Sequence, residues 1–194
     1  MIVAAVLLLG SVATIGAPAT SLDWQPALVW REPWRAWTAA WVHYSALHLL
    51  ANLVGGLVVV AFGIAARVPR RAAFAWLAAW PLTQAGLSLR PDLAHYGGLS
   101  GVLHAGVVVV AVHLIVEARG ARRWVGSAVL LAVAIKVALE APWGPALREP
   151  AGWDIAVAPA AHLSGLAAGL LAAVVAEGAA RARSTRPRTI GRDD

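Results

Sequence analysis

Apolar residues are gathered into six long stretches, which short polar segments separate. The stretches cover residues 2–21, 45–66, 72–89, 98–117, 124–141 and 156–179, with ends good to a few residues. A helix needs roughly 20 mostly apolar residues to cross the hydrocarbon core of a bilayer. The pattern therefore predicts an all-α membrane protein with six transmembrane helices, the first interrupted by Gly10, Gly16 and Pro18.

Basic residues favour every second connection between these stretches. Three lie between the second and third, three between the fourth and fifth, and five after the sixth, which is eleven of the 16 in the chain. They are Arg67, Arg70, Arg71, Arg119, Arg122, Arg123, Arg181, Arg183, Arg186, Arg188 and Arg192. Cytoplasmic loops are enriched in Lys and Arg, so the alternation predicts that both termini lie in the cytoplasm.

Composition narrows the function classes. Charged residues make up 13% of the chain, about half of the roughly 25% typical of soluble domains. The net charge of +6 follows from the arginine topology, so no nucleic-acid partner is expected. The absence of cysteine excludes disulfides and thiolate metal sites, and no cofactor is predicted. We expect a six-helix membrane domain over residues 1–181 and a polar, disordered cytoplasmic tail over 182–194.

Polar side chains open three of the six stretches. The arginine pattern makes all three of these ends extracytoplasmic, so polar groups from separate parts of the chain meet in one leaflet. Ionisable groups inside a membrane are costly and indicate a functional site. The residues are His43, His48 and Asn52 at the start of the second stretch, Ser100 and His104 at the start of the fourth, and His162 in the sixth.

The local context of these residues predicts how they are presented. Ser45 is placed to cap the second helix, and His48 and Asn52 are four residues apart, so they share one helix face. Ser100 follows a loop rich in proline and glycine and falls in the first turn of its helix. Free N–H groups in a first turn favour negative charge, including that of an oxyanion.

Small residues recur every four positions in the fourth and sixth stretches. Gly101 and Ala105 do so in the fourth, and Ala161, Gly165 and Gly169 do so in the sixth. This spacing lets helix backbones approach closely. Ser100 precedes Gly101, and His162 follows Ala161. Close packing of the two helices therefore makes a hydrogen bond between the imidazole and the hydroxyl plausible.

Three motifs resemble those of the rhomboid intramembrane serine proteases. The string GLSG at 98–101 resembles the family's GxSG, and AHLSGLAAG at 161–169 resembles its AHxxGxxxG. The string EPWRAWTAAWVHYSALHLLAN at 32–52 resembles its WR…HxxxxHxxxN stretch. All three occur in the family's order, and the resemblance covers essentially the whole chain. It implies a six-transmembrane-helix rhomboid-like bundle.

The resemblance implies a role for each matching residue. Ser100 matches the nucleophile and His162 the general base of a Ser-His dyad that has no acidic member. His48 and Asn52 match side chains that line the oxyanion hole with the Ser100 N–H. The remaining matches are structural or adjacent to the site: His43, Trp34, Arg35, Gly98 and Gly101.

The longer string GGLSGVLHAG resembles the rhombosortase subfamily more closely. His104 stands where rhomboids commonly have a tyrosine packed against the catalytic histidine, while Ala105 departs from the glycine expected in the subfamily. The resemblance implies transmembrane protein substrates that carry a C-terminal Gly-Gly, an apolar helix and a basic tail. It also implies a multi-pass protein of the bacterial inner membrane that works within the lipid bilayer.

Other interpretations remain open from the residues alone. The six histidines could ligate haem or a metal in a helix bundle, or the protein could bind transmembrane helices without cleaving them. A general rhomboid protease with other single-span substrates is a further alternative. His113 is expected to form an interhelical hydrogen bond. Lys136 and Glu140 are four residues apart, so an ion pair that snorkels to the interface is expected.

Overall fold

A computed structural model describes residues 2–184 as a bundle of α-helices. The helices in this range are α1 (Ile2–Ala13), α2 (Ala19–Leu22), α3 (Arg35–Thr38), α4 (Ala46–Ala66), α5 (Arg70–Ala85), α6 (Ser100–Glu117), α7 (Ala121–Leu139) and α8 (Pro159–Ser184). Short 3-10 segments lie at Pro26–Leu28, Ala39–Trp41 and Gly86–Leu89. No strand occurs between residues 2 and 184, which confirms the all-α prediction. Residues 185–194 of the predicted tail lie outside the described residues.

Three helices of the described chain, α4, α6 and α8, are long and apolar enough to cross a membrane. The predicted stretch 2–21 is not one continuous helix, because α1 has only 12 residues and ends at Ala13. Twelve residues rise about 18 Å, well short of the roughly 30 Å hydrocarbon core. The chain turns at Gly16, whose φ of 83° is one that glycine adopts at little cost. The helices α5 and α7 cover the third and fifth predicted stretches.

The helix α6 occupies the centre of the bundle and packs against α4, α5, α7 and α8. Eleven of its 18 residues are buried, most of them valine, alanine or glycine. A helix that is apolar on all sides is typically enclosed by neighbours. The polar side chains at its start are therefore held inside the bundle.

The contact between α6 and α8 depends on glycine. A Cβ at Gly165 would overlap the Gly101 carbonyl oxygen, and one at Gly169 would lie 2.6 Å from the Ala105 carbonyl oxygen. No larger residue fits between two backbones at this distance. The predicted close packing of the small-residue faces is confirmed.

The end of the bundle at which α4, α6 and α8 begin and α7 ends is here called the upper end. The segment before α4 is fixed there by the buried Arg35, whose guanidinium donates to the Asp23 and Thr20 carbonyl oxygens at 2.9 Å. Trp24 and Tyr96 pair through two backbone hydrogen bonds of 2.7 and 2.9 Å. This bridge fixes the loop that precedes α6.

The loop that joins α7 to α8 also lies at the upper end. Arg90 donates to the carbonyl oxygens of Pro142 and Gly144 at 2.7 and 2.9 Å. The Ser45 hydroxyl caps α4 by accepting from the His48 N–H at 3.0 Å, and it donates to Asp154 at 2.8 Å. The α7–α8 loop is thereby tied to the start of α4.

The opposite, lower end carries an ionic cluster. Glu177 of α8 accepts from Arg71 of α5 at 2.9 Å, and its second oxygen lies 2.9 Å from His113 Nδ1 of α6. The predicted interhelical bond of His113 is confirmed. Three helices are joined at this end by one buried carboxylate.

Candidate active site

The upper end brings Ser100 and His162 together. Ser100 Oγ lies 3.0 Å from His162 Nε2, a hydrogen-bonding distance. The N-cap of α6 is Leu99, and no side chain caps this helix. The Ser100 hydroxyl is therefore not used for capping and is available to the imidazole.

Helix packing determines this contact. A Cβ at Gly101 would lie 2.8 Å from the Ala161 carbonyl oxygen, so the residues that neighbour Ser100 and His162 are in direct backbone contact. The side chain of His162 is 7% exposed and Ala161 is fully buried. The first turn of α8 thus holds the imidazole against the start of α6.

A carboxylate reaches the other nitrogen of His162. His162 Nδ1 lies 2.6 Å from Glu140 Oε2, at the end of α7. The resemblance implied a dyad without an acidic member, whereas the structure places a carboxylate against His162. Glu140 was not predicted as a site residue because the ion pair expected with Lys136, which is present at 2.6 Å, already gave it a partner. One signal for this contact was present in the sequence. Lys136 and Glu140 lie at the end of the fifth apolar stretch that is predicted to be on the same side of the membrane as Ser100.

His104 contacts both members of the Ser100–His162 pair. Its Nδ1 lies 2.7 Å from the Ser100 carbonyl oxygen, and its Nε2 lies 3.0 Å from Lys136 Nζ. Its ring stacks on that of His162, with centroids 4.3 Å apart and planes 17° apart. His104 therefore packs against His162, where the resemblance placed a tyrosine.

His48 and Asn52 are buried on α4, beside the loop before α6. A Cβ at Gly98 would lie 2.8 Å from His48 Nε2, and Gly98 has a φ of 139°. Only glycine accommodates this conformation and this close approach. The Asn52 amide donates to the His48 carbonyl oxygen at 3.1 Å. Among residues 2–184, neither side chain hydrogen-bonds with Ser100 or His162.

His43 lies next to His48, with ring centroids 4.8 Å apart. Its Nδ1 lies 3.1 Å from the Trp41 carbonyl oxygen. Burial lowers the pKa of His43, because a charged imidazole would lose its hydration. His43 therefore adds no positive charge beside His48 at neutral pH.

The arrangement of the histidines at the upper end bears on the haem and metal alternatives. No group of three or more His, Asp or Glu side chains in residues 2–184 is arranged to hold a metal ion. Both ring nitrogens of His162 and of His104 already have protein partners. A haem or metal ligand would have to give up one of these contacts.

Comparison with known proteins identifies the family. The family model described as a Rhomboid domain matches residues 30–177, which contain every residue of the site. No significant match occurs among curated proteins. The apolar helices and this match make the chain an integral membrane protein. The chain belongs to the rhomboid family, whose members are intramembrane serine proteases that act on transmembrane proteins.

Proposed function

We propose that this chain cleaves transmembrane proteins with Ser100 as nucleophile and His162 as general base. The observation that carries the proposal is the 3.0 Å contact between Ser100 Oγ and His162 Nε2. A serine hydroxyl is a weak nucleophile until a base at this distance accepts its proton. The family match supplies the reaction class.

The chemistry follows from the two side chains. His162 Nε2 accepts the proton of Ser100 as Oγ attacks the scissile carbonyl carbon. The resulting imidazolium donates that proton to the leaving amine, and the C–N bond breaks to give an acyl-enzyme. Water then attacks the ester with His162 as base, and the Ser100 hydroxyl is restored.

The oxyanion hole is assigned to the Ser100 N–H, His48 and Asn52. His48 Nδ1 accepts from the Tyr44 N–H at 3.4 Å, so a neutral His48 carries its proton on Nε2, facing Gly98. The Asn52 amide retains a second N–H beyond the one bonded to its own helix. One such donor is worth about 3–4 kcal/mol in a water-poor site.

The membrane topology is part of the proposal. We count six crossings, with the 12-residue α1 as a short first crossing, and place both termini in the cytoplasm. The upper end then lies at the extracytoplasmic face of the membrane, which in a bacterium is the inner membrane. The alternation of arginines supports it, as does the up-and-down order of α4 to α8. Water then reaches Ser100 from that face, and the cleaved bond lies near it.

The substrate class is assigned to proteins with a C-terminal Gly-Gly, an apolar helix and a basic tail. The string GGLSGVLHAG supports this rhombosortase assignment. His104 is the position of this string that departs from the common rhomboid pattern, and its ring stacks on that of His162. A segment with glycine at the cut unwinds easily, since glycine is a poor helix former.

The test is cleavage in proteoliposomes of a single-span reporter that ends in Gly-Gly, an apolar helix and arginines. We expect the wild type to cut it and Ser100→Ala and His162→Ala to leave it intact while remaining folded. Ser127→Ala is the matched control, because the half-buried Ser127 hydroxyl donates to the Arg123 carbonyl oxygen of its own helix. Cleavage by pure Ser100→Ala would overturn the assignment. A reporter lacking the Gly-Gly separates the subfamily from a general rhomboid protease.

A further inference from the structure

The carboxylate beside His162 has a place in this reaction. We propose that Glu140 is a positioning residue that fixes the tautomer and orientation of His162. Lys136 pairs with Glu140 and partly offsets the effect of its negative charge on His162. The inference rests on the proposed function, because it adds a third member to the Ser100–His162 pair. Its basis is the chain of contacts from Ser100 Oγ through both nitrogens of His162 to Glu140.

The hydrogen-bond chemistry allows one tautomer. A carboxylate is an acceptor only, so a nitrogen 2.6 Å from Glu140 Oε2 must be an N–H donor. His162 Nδ1 therefore carries the proton of the neutral imidazole, and Nε2 is left as an acceptor facing the Ser100 hydroxyl. A general base for Ser100 needs this state. Without Glu140, the other tautomer would present an N–H to the nucleophile.

The placement of Glu140 goes against the preference of its helix. Glu140 is the C-cap of α7, where the helix dipole disfavours a negative charge. The next residue, Ala141, has a φ of 46°, which is uncommon for a residue other than glycine. An unfavourable charge and an unfavourable backbone at adjacent positions indicate a local structure retained for function.

Lys136 is the counterpart of Glu140. Its Nζ lies 2.6 Å from Glu140 Oε1, which leaves Oε2 for the imidazole. It also lies 3.0 Å from His104 Nε2 and 3.4 Å from His162 Nδ1. An ammonium is a donor only, so His104 Nε2 accepts and its Nδ1–H donates to the Ser100 carbonyl. His104 is therefore neutral where it stacks on His162.

The charges that face His162 are few. Both come from α7 and are Glu140 and Lys136, while the titratable group from α6, His104, is neutral. The charged residues of α5, Arg70 and Arg71, lie at the lower end. When His162 becomes an imidazolium, Glu140 stabilises it and Lys136 opposes it.

The two charges therefore have opposite effects on the pH dependence of catalysis. Glu140→Gln removes the stabilising charge, so we expect the acidic limb of kcat/KM to move to lower pH by about one unit. Lys136→Met should move the same limb to higher pH. A purely structural role would lower activity in both variants and would not give shifts of opposite sign.

Solvent screens the charge of Glu140 and so limits the effect of this side chain on kcat. The Glu140 side chain is 28% exposed, whereas a fully buried triad carboxylate is worth about 10⁴-fold in kcat. We expect Glu140→Gln to lower kcat at neutral pH by at least about tenfold, but by less than the roughly 10⁴-fold of a fully buried carboxylate. Glu140→Asp keeps the charge and should return the acidic limb toward its wild-type position.

The experiment measures, on the full chain in proteoliposomes, the pH profile of reporter cleavage and of fluorophosphonate labelling. Glu117→Gln is the control, because this carboxylate ends α6 at the lower end. A wild type that neither cleaves nor labels would remove the proposed function and this inference with it. An active wild type with unchanged profiles in Glu140→Gln and Lys136→Met would overturn the inference alone. If Glu140→Gln does not fold, the Lys136→Met shift decides by its sign.

Discussion

Replacing Gly165 with alanine tests whether the contact between α6 and α8 holds the reacting side chains together. The added Cβ would overlap the Gly101 carbonyl oxygen and lie 2.8 Å from its carbonyl carbon. Carbon atoms in contact are normally about 3.5–4.0 Å apart, so the two backbones must separate by about 1 Å. Both groups belong to helix backbone, which cannot rotate aside as a side chain can.

Moving α8 away from α6 also moves His162 away from Ser100. Ser100 precedes Gly101 in α6, and His162 lies within one turn of Gly165 in α8. A rigid shift of α8 by that distance opens the 3.0 Å contact between Ser100 Oγ and His162 Nε2 to about 4 Å, beyond hydrogen-bonding range. Misplacement of this size costs on the order of 10²-fold in rate, and overpacking costs about 1–3 kcal/mol of stability.

The assay is kcat for reporter cleavage, together with thermal unfolding followed by tryptophan fluorescence. Gly178→Ala is the matched control in the same helix, because a Cβ there meets nothing within 4 Å. We expect the control to keep its activity and to gain about 0.5–1 kcal/mol of stability. A Gly165→Ala protein with the wild-type rate and unfolding temperature would refute the packing account.

Two further changes probe the start of α4 and the loop before α6. Gly98→Ala introduces a Cβ 2.8 Å from His48 Nε2 at a φ of 139°; we expect a loss of about 1–3 kcal/mol in stability and a marked fall in cleavage. Equal stability to wild type would show that the loop relaxes freely. Ser45→Ala removes the cap of α4, so its unfolding free energy should fall by about 1 kcal/mol. Asp154→Asn keeps that cap and should cost less; equal losses would contradict the capping role.

The pairing of α6 with α8 could be predicted from sequence because its cause is local. Gly101, Ala105, Gly165 and Gly169 recur at the helical repeat, and few arrangements other than backbone contact explain that spacing. Because Ser100 adjoins Gly101 and His162 adjoins Ala161, this backbone contact also brings the two side chains together. The loop before α6 could also be predicted from sequence, because paired glycines after a proline indicate a loop.

The contact between Glu140 and His162 is harder to predict, since it depends on where α7 ends relative to α8. Lys136 and Glu140 are spaced to satisfy each other, so the sequence left no unpaired charge to explain. The contact with His162 exists because the chain leaves α7 directly after Glu140, at a non-glycine residue with positive φ. An alanine such as Ala141 gives no indication in the sequence that its backbone adopts a positive φ.

The sequence marked the break in the first stretch at Gly16 and Pro18, but it did not predict that α1 ends as early as Ala13. Apolar residues continue past Ala13, and hydropathy alone favours a full span. The helix ends because Gly16 and Pro18 together redirect the chain. Thr14 then donates to the Trp41 carbonyl oxygen at 2.7 Å, which fixes the turn against the segment before α4.

The central claim is that His162 activates the Ser100 hydroxyl. The most direct measurement is intact-mass and peptide mapping of the full chain after reaction with a fluorophosphonate in proteoliposomes. The account predicts one adduct, on Ser100, in the wild type and none in Ser100→Ala or His162→Ala. An adduct on another residue, or labelling of His162→Ala at the wild-type rate, would contradict it.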